Sequence, residues 1–222
     1  MRITFLLLIP TLLFFSCKKG HDLPHTETIT AGGKWGIRIG SSPAEVYAQL
    51  QVLGKQQNFG QVAVVTRPYY DQPQQIEQLL PFYSSVTLMN DGGAIYQVLI
   101  DFRGDHVTYI SAGGGLPLDV DQWPDGAPDA ATIRVNDPVG DIYGKIAAIH
   151  QMPYYSAYKL ILPDKPLDKA FDPDMANYDQ WAYSFTNTVS ASVQGTSHVR
   201  LYFAGGKLSR IVYQYNEGVV YN

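Results

Sequence analysis

Two segments of the chain, 96 positions apart, carry the same pattern of apolar residues. Ile37-Arg38-Ile39 opens the first and Ile133-Arg134-Val135 opens the second. Each triplet is followed by three apolar residues at i, i+4 and i+7, the spacing of one helical face. These residues are Val46, Leu50 and Leu53 in the first copy and Ile142, Ile146 and Ile149 in the second. Because an apolar helix face must be buried, the duplication predicts two helices that cover two similar sheets.

The residues before each apolar face predict where the helices begin. Ser42, Pro43 and Glu45 have the order of a capping box, with the serine as N-cap and the proline in the first turn. Gly54 is placed to end this first helix. In the second copy Asp137 is the predicted cap, and a proline follows it.

Alternating strands follow each helix pattern. In the first copy, every second residue from 96 to 102 is apolar, which gives the strand one strongly apolar face. A turn follows at residues 103–105, and residues 106–112 return. In the second copy, residues 199–203 and 208–215 form the same pattern about a glycine turn. Further strands are predicted at residues 62–66, 86–89, 158–162 and 181–185, and a helix at residues 73–80.

The patterns predict an α+β fold of two tandem units, each a helix with an antiparallel sheet. The first unit spans residues 35–112 and the second spans residues 131–222. Residues 113–130, with three consecutive glycines and several prolines, are predicted to be the linker between them.

The first sixteen residues are typical of a secretory signal peptide. Arg2 supplies a positive charge, and residues 3–15 are apolar over a length too short to span a bilayer of about 30 Å. Ser16 then precedes Cys17, the single cysteine of the chain. Leu-Phe-Phe-Ser-Cys resembles a lipobox, which predicts that residues 1–16 are removed and Cys17 is lipidated. The alternative is an ordinary signal peptide followed by a chance cysteine.

Composition and charge indicate a tethered domain that does not bind nucleic acid. Residues 17–34 are polar and aperiodic, and are predicted to be a flexible tether. The formal net charge is -4 and the basic residues are scattered, so no nucleic-acid partner is expected. The chain is predicted to be a lipid-anchored protein of the bacterial cell envelope, on the periplasmic or surface face of the outer membrane.

One family resemblance rests on the start and end of the first helix. Gly40, Ser41, Glu45 and Val46, followed by the Leu53–Gly54 pair, resemble the repeat of the beta-lactamase inhibitory protein. The same residues are similar to those of the small SmpA/OmlA outer-membrane-assembly lipoproteins. The resemblance implies two tandem α+β units and a role in binding or inhibiting another protein. It transfers no functional residue.

The sequence holds no motif that points to catalysis. It lacks the Gly-x-Ser-x-Gly, His-Glu-x-x-His and phosphate-cradling glycine motifs. No catalytic residue, metal site or cofactor is therefore predicted, and the chain is not expected to be an enzyme. Two aspartate-rich segments, residues 119–129 and 164–174, are predicted to be solvated loops, with calcium binding as the alternative.

Aromatic residues are the candidate contact residues. The chain has sixteen tyrosines, which occur both at protein interfaces and inside β-sheets. The leading hypothesis is a non-enzymatic binding module for another envelope or extracellular protein. The alternatives are a glycan-binding lipoprotein and an envelope hydrolase with a dispersed active site. The predicted partner-binding residues are Tyr69, Tyr70, Trp123, Tyr154, Tyr155, Tyr158 and Trp181.

Overall fold

The computed structural model describes residues 23–90, 96–114, 116 and 118–219, which contain two α-helices and fifteen strands. The predicted signal peptide and Cys17 lie outside the described residues. Within the described ranges no helix has the length and apolarity needed to cross a bilayer.

Along the described chain the two helices are separated by seven strands. In chain order the helices and strands are β1 (His25–Ile29), β2 (Gly33–Lys34), β3 (Ile37–Arg38), α1 (Pro43–Gln57), β4 (Gln61–Val64), β5 (Ser85–Asn90), β6 (Tyr96–Arg103), β7 (His106–Gly113), β8 (Leu118–Asp119), β9 (Gln122–Trp123), β10 (Ile133–Arg134), α2 (Val139–His150), β11 (Lys159–Ile161), β12 (Lys165–Pro166), β13 (Gln180–Ser190), β14 (Val193–Ala204) and β15 (Lys207–Val219).

Helix α1 begins as its sequence predicts and ends one turn later. The Ser42 amide donates to the Glu45 carboxylate at 2.7 Å, and the Glu45 amide donates to the Ser42 hydroxyl, which completes the capping box. The predicted end at Gly54 is wrong. The helix continues to Gln57 and ends at Asn58, whose φ of 57° is left-handed.

Helix α2 also forms where predicted, but its predicted cap is wrong. Pro138 is the N-cap residue and offers no side-chain hydrogen bond. The Asp137 carboxylate instead accepts from the Arg134 amide at 2.6 Å and pairs with Lys145. The apolar face is buried as the spacing requires, because Ile142, Ile146 and Ile149 are all fully buried.

The first packing unit joins the two ends of the described chain, and we call it the outer unit (residues 25–64 and 165–219). Its sheet has the order β1-β15-β14-β13-β4-β12, with antiparallel pairing throughout. Helix α1 covers one face of this sheet, so Val46, Leu50 and Leu53 share a core with Trp181, Leu201 and Ile211 from the last three strands.

The second packing unit lies between those two segments in sequence, and we call it the inner unit (residues 70–162). Its sheet has the order β11-β5-β6-β7-β8, again antiparallel. Helix α2 covers this sheet, and Ile142 and Ile146 share a core with Val98, Ile100 and Ile110.

The two cores do not follow the predicted division into residues 35–112 and residues 131–222. Each helix covers the sheet that lies in the other predicted unit, so α1 packs on the last hairpin and α2 on the first one. The inner unit, whose helix follows four of its five sheet strands, is inserted into the outer unit, whose helix precedes five of its six sheet strands. The mixed helix and antiparallel-sheet class holds, whereas the predicted tandem boundaries are wrong.

Three smaller predictions also fail in the described residues. The predicted tether is wrong from His25 onward, because β1 pairs with β15 over its whole length. The predicted linker contributes β8 and β9 to the inner unit, and its Trp123 is 5% exposed. The predicted helix at residues 73–80 is replaced by two separate 3₁₀ turns, Pro73–Gln75 and Leu80–Phe82.

Candidate functional site

The outer sheet splits at β4, and a cleft opens at the split. Strand β4 pairs with β13 only at Val64 and Ala63, opposite Trp181 and Ala182. The next residue, Val62, pairs with β12 instead. The strands therefore diverge after Ala182, and the space between them is not filled by another strand of the described chain.

The cleft is large and has walls of different character. Its volume is about 1130 Å³. The end of α1 and the loop after it form one wall, β12 and its neighbours form a second, and the outer face of β13–β15 forms the floor. Representative lining residues are Gly54, Phe59, Leu167, Tyr183 and Arg200.

An aromatic stack flanks the cleft on the helix side. The Phe59 ring lies 4.8 Å from the Tyr183 ring at an interplanar angle of 15°, and 6.0 Å from Phe185. Burial raises the pKa of Tyr183 well above its ordinary value, so its hydroxyl stays protonated. That hydroxyl is buried and has no hydrogen-bond partner in the described part of the chain.

The floor of the cleft is polar. Ser184 and His198 lie directly opposite each other on β13 and β14, and Arg200 and Gln214 lie nearby on the same face. No hydrogen bond joins Ser184 to His198 in the described structure, so the pair lacks the nucleophile–base contact that a serine hydrolase uses. The floor instead offers donors and acceptors to a ligand that lies across it.

A buried polar network joins the outer and inner units. The Tyr83 hydroxyl of the inner unit donates to the Asp172 carboxylate of the outer unit at 2.6 Å. Arg67, on the connection between the units, contacts both groups and lies 3.3 Å from Asp172. Asp172 has no exposed surface, and the Asp174 amide also donates to its carboxylate at 2.9 Å, so three protein groups satisfy this buried side chain.

Lys165 is a buried amine in the same region. Its Nζ donates to the Tyr47 hydroxyl and to the Pro166 carbonyl, each at 2.9 Å. Burial lowers the pKa of Lys165 to about 8, and the carboxylate of Asp172 opposes that shift only in part. Burial also raises the pKa of Tyr47, so the tyrosine remains a neutral hydrogen-bond partner.

Four of the seven predicted contact residues are core residues. Trp181 is 0% exposed and Tyr158 is 1% exposed, while Trp123 and Tyr70 are 5% and 7% exposed. A buried ring offers a partner no surface, so the expected contact role of these four is wrong. Trp123 and Trp181 lie in strands, Tyr70 forms an isolated bridge with Leu160, and Tyr158 directly precedes β11. All four rings pack in the two cores, where large apolar rings are usually buried.

The other three predicted residues retain surface. Tyr69 is 54% exposed and Tyr154 is 73% exposed, while Tyr155 is half-buried. The structure brings Tyr154 and Tyr155 together, with ring centroids 4.9 Å apart in an edge-to-face pair. Trp123 and Tyr158 support them from below, at 5.0 and 5.2 Å from Tyr155. Four predicted residues therefore form one aromatic cluster on the inner unit.

The aspartate-rich segments are held by protein groups. Asp129 pairs with Arg134 at 2.7 Å, the Tyr109 hydroxyl donates to Asp119 at 2.6 Å, and Asp172 bonds Tyr83. Among the residues described, no group of three or more His, Cys, Asp and Glu side chains could hold a metal ion.

Sequence reasoning missed the cleft entirely. Its walls come from α1, β12 and β13, which are far apart in sequence. No local sequence pattern predicts that β4 pairs first with β12 and then with β13. The one available signal is the uncharged run at residues 183–192, which is unusual for an exposed strand.

Comparison of the chain with protein-family models, with curated proteins and with solved structures finds no match.

Proposed function

We propose that this chain is a lipid-anchored binding protein of the bacterial cell envelope, which holds or inhibits another protein through the cleft of its outer unit. The observation that carries the proposal is the cleft itself, about 1130 Å³ in volume and open between two strands of one sheet. Small-molecule pockets span roughly 300 to 1,000 Å³, so a cleft of this size suits part of a macromolecule.

The composition of the cleft supports a protein partner. Phe59 is partly exposed and provides apolar surface, and the exposed Arg200 and Gln214 provide polar surface on the floor. Protein interfaces combine an apolar centre with a polar rim in this way, and they are enriched in aromatic residues and arginine. The resemblance of the first helix to the beta-lactamase inhibitory protein is in keeping with this proposal. Catalysis forms no part of it.

Lipidation at Cys17 is the second part of the proposal, and it rests on the sequence. Metabolic labelling with an alkyne fatty acid tests it directly. We expect label on the wild-type protein and none on Cys17→Ala, which should also leave the membrane fraction. Equal labelling of both proteins would contradict the anchor without bearing on the cleft.

Photo-crosslinking in intact cells tests the cleft. A benzoylphenylalanine at Arg200, on the exposed floor, should form an adduct with one partner protein. The matched control is the same amino acid at Val52, which is 58% exposed on α1 and does not line the cleft. Adducts of equal yield at both positions, or at neither, would contradict the proposed site.

Glycan binding is a second candidate function, and the aromatic cluster of the inner unit favours it. Sugar rings stack on exposed aromatic faces, and Tyr154 is the most exposed tyrosine of the cluster. Titration with envelope polysaccharide fragments, followed by nuclear magnetic resonance, tests this function. Chemical-shift changes that are confined to Tyr154 and Tyr155, and that disappear in Tyr154→Ala, would support glycan binding. Chemical-shift changes of cleft residues alone would contradict it.

A further inference from the structure

Strand β13 has an open edge beyond the point where β4 leaves it. Along its first residues β13 lies between β4 and β14, but from Tyr183 to Ser190 it pairs with β14 alone. A β-bulge between Thr188 and Ser190 distorts the far end. The regular open edge therefore runs from Tyr183 to Thr188, a length of about 20 Å.

Two hydrogen bonds at the start of β13 show which backbone groups face the open edge. The Val65 amide donates to the Gln180 carbonyl, so Gln180 faces away from β14. The Phe203 amide donates to the Asp179 carbonyl, so Asp179 faces β14. Because successive residues of a strand alternate in direction, the amides and carbonyls of Ser184, Thr186 and Thr188 face outward. In the described chain, no strand is hydrogen-bonded to β13 on that side at these three residues.

This edge lacks the usual protection against strand pairing. Natural proteins place charges or prolines on exposed edges, and residues 183–192 contain neither. The opposite edge of the same sheet is protected, since Glu27 of β1 pairs with Lys34. The bulge after Thr188 would disrupt pairing with another strand only at the C-terminal end of β13. An unprotected edge beside a cleft is a ready site for β-strand addition.

Given the proposed lipid anchor at Cys17, the register of β1 limits how far this edge can lie from the membrane. His25 pairs with Tyr215, and β1 runs antiparallel to β15, so the chain before His25 leads toward the end at Val219. Val219 pairs with Val193, beside the turn that follows β13. The eight residue steps from Cys17 to His25 span at most about 28 Å, so the anchor keeps the open edge close to the bilayer surface.

We propose that the open edge of β13 binds an extended segment of a membrane-embedded partner protein, at a point where that segment has just left the bilayer. The segment pairs with Ser184, Thr186 and Thr188 through its backbone. Its side chains alternate, with apolar ones on the side of Phe59 and polar ones over the floor near His198. This inference rests on the proposed lipid anchor and cleft.

Photo-crosslinking of the full-length lipoprotein in cells tests the inference. With benzoylphenylalanine at Thr186, mass spectrometry should place the crosslink in a partner segment within about ten residues of a membrane span. Thr188→Pro, which removes one outward amide, should lower the yield about tenfold, whereas Thr188→Val should change it less than about twofold. An adduct with a second copy of this chain, or with a segment far from any span, overturns the inference.

A second measurement does not depend on how a proline variant folds. A synthetic peptide of the crosslinked segment should slow amide hydrogen exchange at Ser184, Thr186 and Thr188 in the wild-type protein by about tenfold or more. Unchanged exchange at these amides overturns strand addition. An adduct at Arg200 without one at Thr186 overturns this inference alone, and the absence of both overturns the proposed function as well.

Discussion

The backbone amide of Leu208 donates to the carbonyl of Ser41 at 2.8 Å, which fixes the start of α1 against the last hairpin. The Val107 amide donates to the Asp137 carbonyl at 2.9 Å and fixes the start of α2 against the first hairpin. The two bonds are equivalent under the sequence repeat. The two sequence copies therefore make two equivalent contacts between a helix start and a hairpin. In each contact the helix belongs to one copy and the hairpin to the other.

The nested arrangement predicts which fragments fold. A fragment of residues 68–163 contains a complete core and should unfold cooperatively on heating, as followed by circular dichroism. A fragment of residues 35–112 should not, because the apolar face of α1 lacks the sheet that buries it. Cooperative unfolding of the second fragment and not the first would restore the tandem division.

Gly54 is required by close packing rather than by a turn. A Cβ atom there would lie 2.6 Å from the Phe59 carbonyl oxygen and 2.8 Å from Leu167. Gly54→Ala should therefore lower the free energy of unfolding by about 1 to 3 kcal/mol in urea titrations. Gly144→Ala on α2 is the control. Its Cβ meets nothing within 4 Å, and helix propensity should raise the stability by about 0.5 to 1 kcal/mol. Equal effects of the two substitutions would contradict the packing argument.

The Tyr83–Asp172 bond should contribute to coupling between the units. Tyr83→Phe removes the hydroxyl that donates to a fully buried carboxylate, and should lower the free energy of unfolding by about 1 to 3 kcal/mol. Tyr69→Phe changes an exposed tyrosine and should have almost no effect. A double-mutant cycle with Asp172→Asn measures the coupling, and additive losses would show that the bond contributes nothing.

Lys165 should make stability rise with pH in a defined window. Its pKa is about 8 in the folded protein and 10.5 when unfolded. Between these values the unfolded chain binds a proton that the folded protein does not, so the free energy of unfolding increases as the pH rises. Urea titrations at pH 7, 8, 9 and 10 should show this rise in the wild type.

Lys165→Met should abolish that rise, because the buried charge is gone. It should also stabilise the protein at pH 7 by about 1 to 3 kcal/mol, since no charged amine is then buried. Lys207→Met, at an exposed position, is the control and should leave the rise intact. A wild-type stability that is flat from pH 8 to 10 would show that Lys165 is not desolvated.

The sequence by itself determined the local elements of this protein. The spacing of Val46, Leu50 and Leu53 fixed the buried face of α1, and Ser42 with Glu45 fixed its start, because capping and periodicity act within a few residues. The strand pairs β5–β6, β6–β7 and β14–β15 were readable for the same reason, since alternation marks each strand.

Only the tertiary structure decided which helix covers which sheet. The apolar faces of α1 and α2 are nearly interchangeable, and hydrophobic burial has no direction that would assign one sheet to one helix. The choice depends on long-range contacts, such as Leu208 with Ser41 and Tyr83 with Asp172. The cleft and the open edge also depend on long-range pairing, because β4 pairs with β13 only at Val64 and Ala63 and with β12 at Val62 and Gln61.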